Sequence, residues 1–169
     1  KDIDDGLSIQ ETPQGFLLGV HIVDVSALLS SDSALVREAS SRMTSLYLPE
    51  STLPMLPPRI SEELGSLTPD NPRPALSLLI QMDRAFRIDH WEVVASVVQS
   101  QARFSYGEVD RALERADHPK GTMLSSLAAI AQSFRSQRLA AGALELNRPE
   151  LKVNVDPDGR ISGSVGPVS

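Results

Sequence analysis

The run Gly15-Phe16-Leu17-Leu18-Gly19-Val20-His21-Ile22-Val23-Asp24-Val25 restricts the fold more than any other part of the chain. Its apolar residues fall on both parities, so a strand built from it must be covered on both faces and belongs at the centre of a sheet. His21 and Asp24 interrupt the run and are expected to be hydrogen-bonded polar groups near the strand end rather than ligands. A second strand is expected just ahead, over residues 6–11, joined through the turn Thr12-Pro13-Gln14-Gly15.

Ahead of that first strand stand Asp2, Asp4 and Asp5. In an extended segment Asp2 and Asp4 share a face while Asp5 takes the other, and a bend after Asp4 brings all three together. Like charges so close raise one another's pKa and oppose folding unless a cation is bound. Oxygen ligands of this kind suit magnesium or manganese rather than zinc. A solvated acidic turn is the competing reading of a bare Asp-x-Asp-Asp.

Composition sets the outer bounds. A length of 169 residues, 41% of them hydrophobic, suits one domain with one core. The chain has no cysteine, which excludes disulfides, thiolate metal sites and a cysteine nucleophile. No apolar run has the length needed to cross a bilayer, and the opening Lys-Asp is unlike a secretory leader, so a soluble protein of the cytoplasm, or of an organelle, is expected. The absence of an initiator methionine suggests a piece of something longer. Net charge is −6, and residues 1–70 hold eleven acids against Lys1, Arg37, Arg42 and Arg59. That balance is a poor footprint for binding phosphates, so an RNA substrate would need positive charge from other domains or from bound metal.

Further along, Ser31-Asp32-Ser33 offers an N-cap for a helix to about residue 45, with Leu35, Ala39 and Met43 on one face. A proline-rich ordered loop over residues 51–74 frames a short helical segment at 61–67. Strands are expected at residues 75–82 and 88–103 about a hairpin at 83–87, with Trp91 in the core. Helices follow at 106–116 and 120–141, the longer with Leu124, Leu127, Ile130, Ala131 and Phe134 on its apolar face. Its Lys120, Arg135 and Arg138 make a basic face, and Gly142 stops it. Residues 151–155 and 160–165 make a last strand pair about Asp156-Pro157-Asp158-Gly159. The fold expected is α/β to α+β, a mixed and mostly antiparallel sheet backed by helices.

Several segments, in order and spacing, resemble the N-terminal half of the catalytic RNB domain of the ribonuclease II family. They are Asp2-Ile3-Asp4-Asp5-Gly6-Leu7-Ser8, Val20-His21-Ile22-Val23-Asp24-Val25-Ser26, Arg37-Glu38-Ala39 and Thr44-Ser45-Leu46-Tyr47-Leu48-Pro49. Pro54-Met55-Leu56-Pro57, Leu64-Gly65-Ser66-Leu67-Thr68-Pro69, Arg73-Pro74-Ala75-Leu76-Ser77, Ala102-Arg103-Phe104-Ser105-Tyr106 and Gly142-Ala143-Leu144-Glu145-Leu146 continue the match. The resemblance covers essentially all 169 residues. It departs from the family at Gly6 and Val23, where Ala is usual, and at Met43, where Gly is usual.

This resemblance implies processive hydrolysis of single-stranded RNA from its 3′ end to nucleoside 5′-monophosphates, with magnesium and with manganese as a substitute. Asp2, Asp4 and Asp5 match three of the family's four metal-site aspartates, the fourth falling ahead of Lys1. Asp2 and Asp5 are then ligands, and Asp4 acts through a second metal or the attacking water, in keeping with two-metal phosphodiester chemistry. Tyr47 matches an aromatic clamp that stacks on a base, and Tyr106 a tyrosine lining the RNA channel. Arg73 is read either as a phosphate contact or as a structural residue of the proline-rich loop. The family domain is about twice this long, so the chain is expected to be its N-terminal half, without the flanking cold-shock and S1-type domains. The alternative is a truncated, inactive RNB-like module that binds RNA or protein. A terpene-cyclase or haloacid-dehalogenase reading of Asp-x-Asp-Asp fits less well, because the chain is strand-bearing and its aspartates precede a strand.

Overall fold

A computed structural model describes residues 3–48, 51–69, 71–115, 118–145, 151–156 and 158–165. Its centre is a four-stranded antiparallel sheet in the order β1-β2-β5-β6. β1 (Asp5–Glu11) and β2 (Gly15–Val23) form the first hairpin, closed by reciprocal backbone hydrogen bonds between Thr12 and Gly15. β5 (Arg73–Asp83) and β6 (Ile88–Val98) form the second. β2 and β5 are the inner strands, as the apolar character of residues 15–23 requires, and β6 is an edge.

One face of the sheet carries the core. Leu18, Ile80 and Met82 pack with Ile130 of the long helix α3 (Gly121–Ala140), flanked by Ile9, Phe16, Leu78, Phe86, Leu127 and Phe134. Leu124 is buried as expected, whereas Ala131 faces solvent. The second hairpin turns through Asp83, whose carboxylate accepts from the Ala85 and Arg87 amides and the Arg87 guanidinium. Phe86 there takes φ 60°, which sets its ring on Phe16 at a centroid separation of 5.6 Å.

The helix covers only one end of that face. At the other end Leu7, Ile22, Leu76 and Val93 are all about half exposed. Trp91, expected in the core, is 61% exposed: it stands opposite Ile80, but on the edge strand, where no helix lies over it. β6 also ends at Val98, short of the expected residue 103.

β2 stops at Val23 because Asp24 caps a turn of 3-10 helix, Val25–Leu28, accepting from the Ala27 amide and the Ser26 hydroxyl. Those donors hold the Asp24 carboxyl below the usual carboxylate range, the Ser26 hydroxyl contributing most. α1 (Ala34–Arg42) starts at Ser33, which accepts from the Val36 amide, and is shorter than expected. Met43 ends it at φ 60°, so it is the left-handed C-cap rather than part of the buried face, and it is 83% exposed. This accounts for the glycine usual at that position, since only glycine takes that conformation without steric cost.

Two short strands, β3 (Leu46–Tyr47) and β4 (Thr52–Leu53), pair as a small ribbon that the sequence pattern does not suggest. The expected helical segment of the proline-rich loop is a short π-helix, Arg59–Leu64. α2 (Tyr106–Glu114) opens with a capping box between Ser105 and Glu108. β7 (Leu151–Val155) and β8 (Ile161–Val165) pair as a separate hairpin, and Gly142 and Gly159 take positive φ where the sequence places stops and turns.

Candidate functional site

The acidic motif lies at the head of β1. Asp5 is the strand's first residue and pairs with Ile22, and the Val23 amide donates to the Asp4 carbonyl at 3.0 Å. By strand alternation Asp5 shares the face of Leu7 and Ile9, at the end that α3 leaves open. The side chains of Asp4 and Asp5 are both exposed, and Asp2 falls outside the described residues. Among the described residues no three His, Cys, Asp or Glu side chains converge as a metal cluster. Asp4 and Asp5 are adjacent in sequence and exposed, and with the pairing continued through the Asp4 carbonyl they leave opposite sides of the backbone by strand alternation. Such carboxylates suit magnesium by their chemistry, because that ion takes one or two of them and fills its remaining positions with water and substrate phosphate.

Ile3 and Asp4 are held from two sides. The Ile3 amide donates to Ser66 Oγ at 2.9 Å, and the Leu67 amide donates to the Ile3 carbonyl at 2.8 Å. Ser66 and Leu67 are themselves buried, and Leu67 lies over Gly6, where a β-carbon would meet its Cδ1 at 3.5 Å. Arg73, at the start of β5, donates from Nε to the Ser66 carbonyl and from Nη2 to the Glu63 carbonyl.

His21 is the buried polar residue of the central strand, and its role is structural. Its ring lies between Ser8 Oγ, 2.8 Å from Nε2, and Ser77 Oγ, 2.6 Å from Nδ1. Ser77 Oγ is 2.6 Å from Ser96 Oγ, which donates to the Ala75 carbonyl. That terminal carbonyl fixes the direction of every bond: Ser96 donates to it, Ser77 to Ser96, His21 Nδ1–H to Ser77, and Ser8 to Nε2. One oriented chain therefore crosses all four strands, and among the described residues no buried side-chain polar atom lacks a partner. Burial pushes the His21 pKa down from 6.5. A histidine that resists protonation when folded costs nothing above its ordinary pKa and loses stability as pH falls below it, because the unfolded chain then takes up the proton. The melting temperature is expected to drop from about pH 7.5 to about pH 5.5, with a smaller drop in His21→Gln. Equal slopes in the two proteins would remove His21 as the cause.

Tyr47, on β3, is 75% exposed and Tyr106, the first residue of α2, is 93% exposed. Neither ring stacks on another aromatic side chain among the described residues. A tyrosine packed at a helix end, the plain alternative for Tyr47, is not what is found. The basic face expected on α3 is partly engaged, since Arg135 pairs with Glu145. Pattern reasoning missed Ser8, Ser66, Ser77 and Ser96; their signal is a set of small hydroxyl residues that only the strand register brings together.

This mixed α/β fold, built on an antiparallel sheet, is shared with solved ribonuclease structures. The chain belongs to the RNB domain family, which it matches over residues 1–166. It is 36% identical over 168 residues to Ribonuclease R of Thermotoga maritima, covering 95% of this chain and 24% of that protein. The solved structure of Mycoplasma genitalium RNase R in complex with ribose-methylated single-stranded RNA superposes with a TM-score of 0.84 at 29% identity. That likeness covers 99% of this chain and 27% of that one. Yeast Ssd1, described as a pseudonuclease, is similar with a TM-score of 0.71 at 27% identity, over 81% of this chain and 17% of its own. The chain thus spans about a quarter of the length of the RNase R proteins it matches.

Proposed function

We propose that this chain is part of a 3′-to-5′ exoribonuclease that hydrolyses single-stranded RNA processively to nucleoside 5′-monophosphates with magnesium. The observation that carries the reading is the exposed Asp4-Asp5 pair, on the motif positions where the family resemblance puts its carboxylates, at the head of a strand in fixed register. Asp2, Asp4 and Asp5 are the residues that would hold the metal. When bound, the ion offsets the charge of the scissile phosphate and makes water more acidic. The remaining tasks belong to the protein. The backbone clasp on Ile3 and Asp4 keeps the motif from moving as the strand advances. Tyr47 and Tyr106 present free aromatic surfaces for bases, and stacking is indifferent to sequence because every base has a π face. With this chain acidic overall, the charge that attracts RNA comes from the metal and from other parts of the parent protein.

A second reading, an inactive RNA-binding or protein-interaction module, draws on the likeness to Ssd1. The two separate in one assay. With the longest natural chain containing these residues, a 5′-labelled single-stranded RNA should shorten from its 3′ end with magnesium and stay intact with a chelator. RNA that is bound but intact under both conditions would favour the module.

A further inference from the structure

The backbone beneath the acidic motif is held by a connected set of hydrogen bonds. We propose that Arg73 is a positioning residue for the aspartates, acting through the Ser66-Leu67 turn rather than by touching RNA phosphate.

The argument starts from the donors. Arg73 spends Nε on the Ser66 carbonyl at 3.2 Å and Nη2 on the Glu63 carbonyl at 3.1 Å. Both acceptors belong to the backbone leaving the π-helix Arg59–Leu64, whose last carbonyls need partners. The planar guanidinium fork meets two carbonyls at once, which a lysine ammonium does not reproduce. The turn so held is buried, with Ser66 at 0% and Leu67 at 3% exposure, and it grips Ile3 by both of its backbone polar groups. Ile3 is flanked by Asp2 and Asp4 in the sequence, so the orientation of its peptide groups sets where the neighbouring carboxylates leave the chain.

The same corner is closed from the other side. The Asp24 amide donates to the Pro74 carbonyl at 2.9 Å, next to Arg73, and the Val23 amide donates to Asp4. Gly65 allows the tight exit from the π-helix: a β-carbon there would stand 2.6 Å from the Ile60 carbonyl oxygen. Arg73 is therefore two hydrogen-bonded steps from the motif, Arg73 to Ser66 and Ser66 to Ile3.

This inference rests on the nuclease reading, and its test separates the two. In the longest natural chain containing these residues, wild type, Arg73→Lys, Ser66→Ala and Asp5→Asn are compared. Direct Mn²⁺ binding is read by calorimetry, RNA affinity in chelator at two salt concentrations, and shortening of 5′-labelled RNA. Loss of a residue that orients metal ligands typically weakens metal affinity about ten- to a hundredfold. That loss is expected for both Arg73→Lys and Ser66→Ala, with RNA affinity and its salt dependence unchanged. Wild-type Mn²⁺ binding in Arg73→Lys would overturn the proposal; so would a shallower salt dependence of RNA affinity in a further variant, Arg73→Gln, which unlike lysine removes the charge and would make Arg73 a phosphate contact. So would Ser66→Ala that melts earlier but binds Mn²⁺ normally. If wild type neither binds Mn²⁺ nor shortens RNA, and Asp5→Asn is indistinguishable from it, the nuclease reading itself falls and this one with it.

Discussion

Asp5→Asn is expected to lower the rate of RNA shortening by about a hundredfold or more while leaving the fold and RNA affinity in chelator intact. The substitution is isosteric, so β1 keeps its pairing of residue 5 with Ile22 and its register on β2. The side chain is exposed, which holds the expected stability change within about 0.5 kcal/mol. On the proposed reading, what is lost is one negative charge and one hard oxygen donor to a divalent ion. A bound metal contributes several kcal/mol of transition-state stabilisation, and each ~1.4 kcal/mol is a factor of ten in rate. Single-turnover shortening of 5′-labelled RNA, alongside melting curves of both proteins, checks it. A rate within about threefold of wild type, with unchanged melting, would remove Asp5 from the site.

Sequence reasoning reached the strands whose pattern is local. Residues 15–23 read as a central strand because both parities are apolar, and β2 does lie between β1 and β5. Thr12 to Gly15 and Asp83 to Arg87 read as turns because glycine, proline and aspartate supply the needed backbone and side-chain bonds. His21 was legible as a satisfied core polar group, but not its partners. Ser8 lies across from Gly19 and Ser96 across from Ala75, each two residues along from Gly6 and Val94, the direct partners of His21 and Ser77, so the chain of bonds exists only once the register is known. Trp91 was misplaced for a related reason: hydrophobicity says that a residue prefers cover, while position on an edge strand decides whether cover exists. At the candidate site the aspartates stood out by charge alone. Ser66 and Arg73 did not, because their part is played through backbone carbonyls and amides, which every residue carries.

Gly19→Ala is expected to destabilise the sheet by about 3 kcal/mol, the sum of overpacking and a broken buried hydrogen bond. A β-carbon at Gly19 would stand 2.4 Å from Ser8 Oγ, 2.6 Å from His21 Nε2 and 2.7 Å from His21 Cε1. The hydroxyl can rotate away, but the imidazole has no such freedom: Nδ1 is tied to Ser77, and the ring is buried between strands. Either the ring leaves the bond to Ser77, which strands a buried hydroxyl chain, or β1, at whose head Asp4 and Asp5 stand, moves away from β2. Adding Ser8→Ala removes the 2.4 Å conflict but not the one with the ring, so the double variant should cost less than the sum of its parts. Hydrogen exchange of β2 and β5 amides in the natural chain reads this locally, and about 3 kcal/mol corresponds to roughly a hundredfold loss of protection. The pH dependence supplies a second check. If the ring is driven out to water in Gly19→Ala, His21 regains its ordinary titration, and the extra loss of stability below about pH 6.5 should shrink with it. A variant that keeps both full protection and the full pH slope would show that Ser8 and His21 do not meet over Gly19.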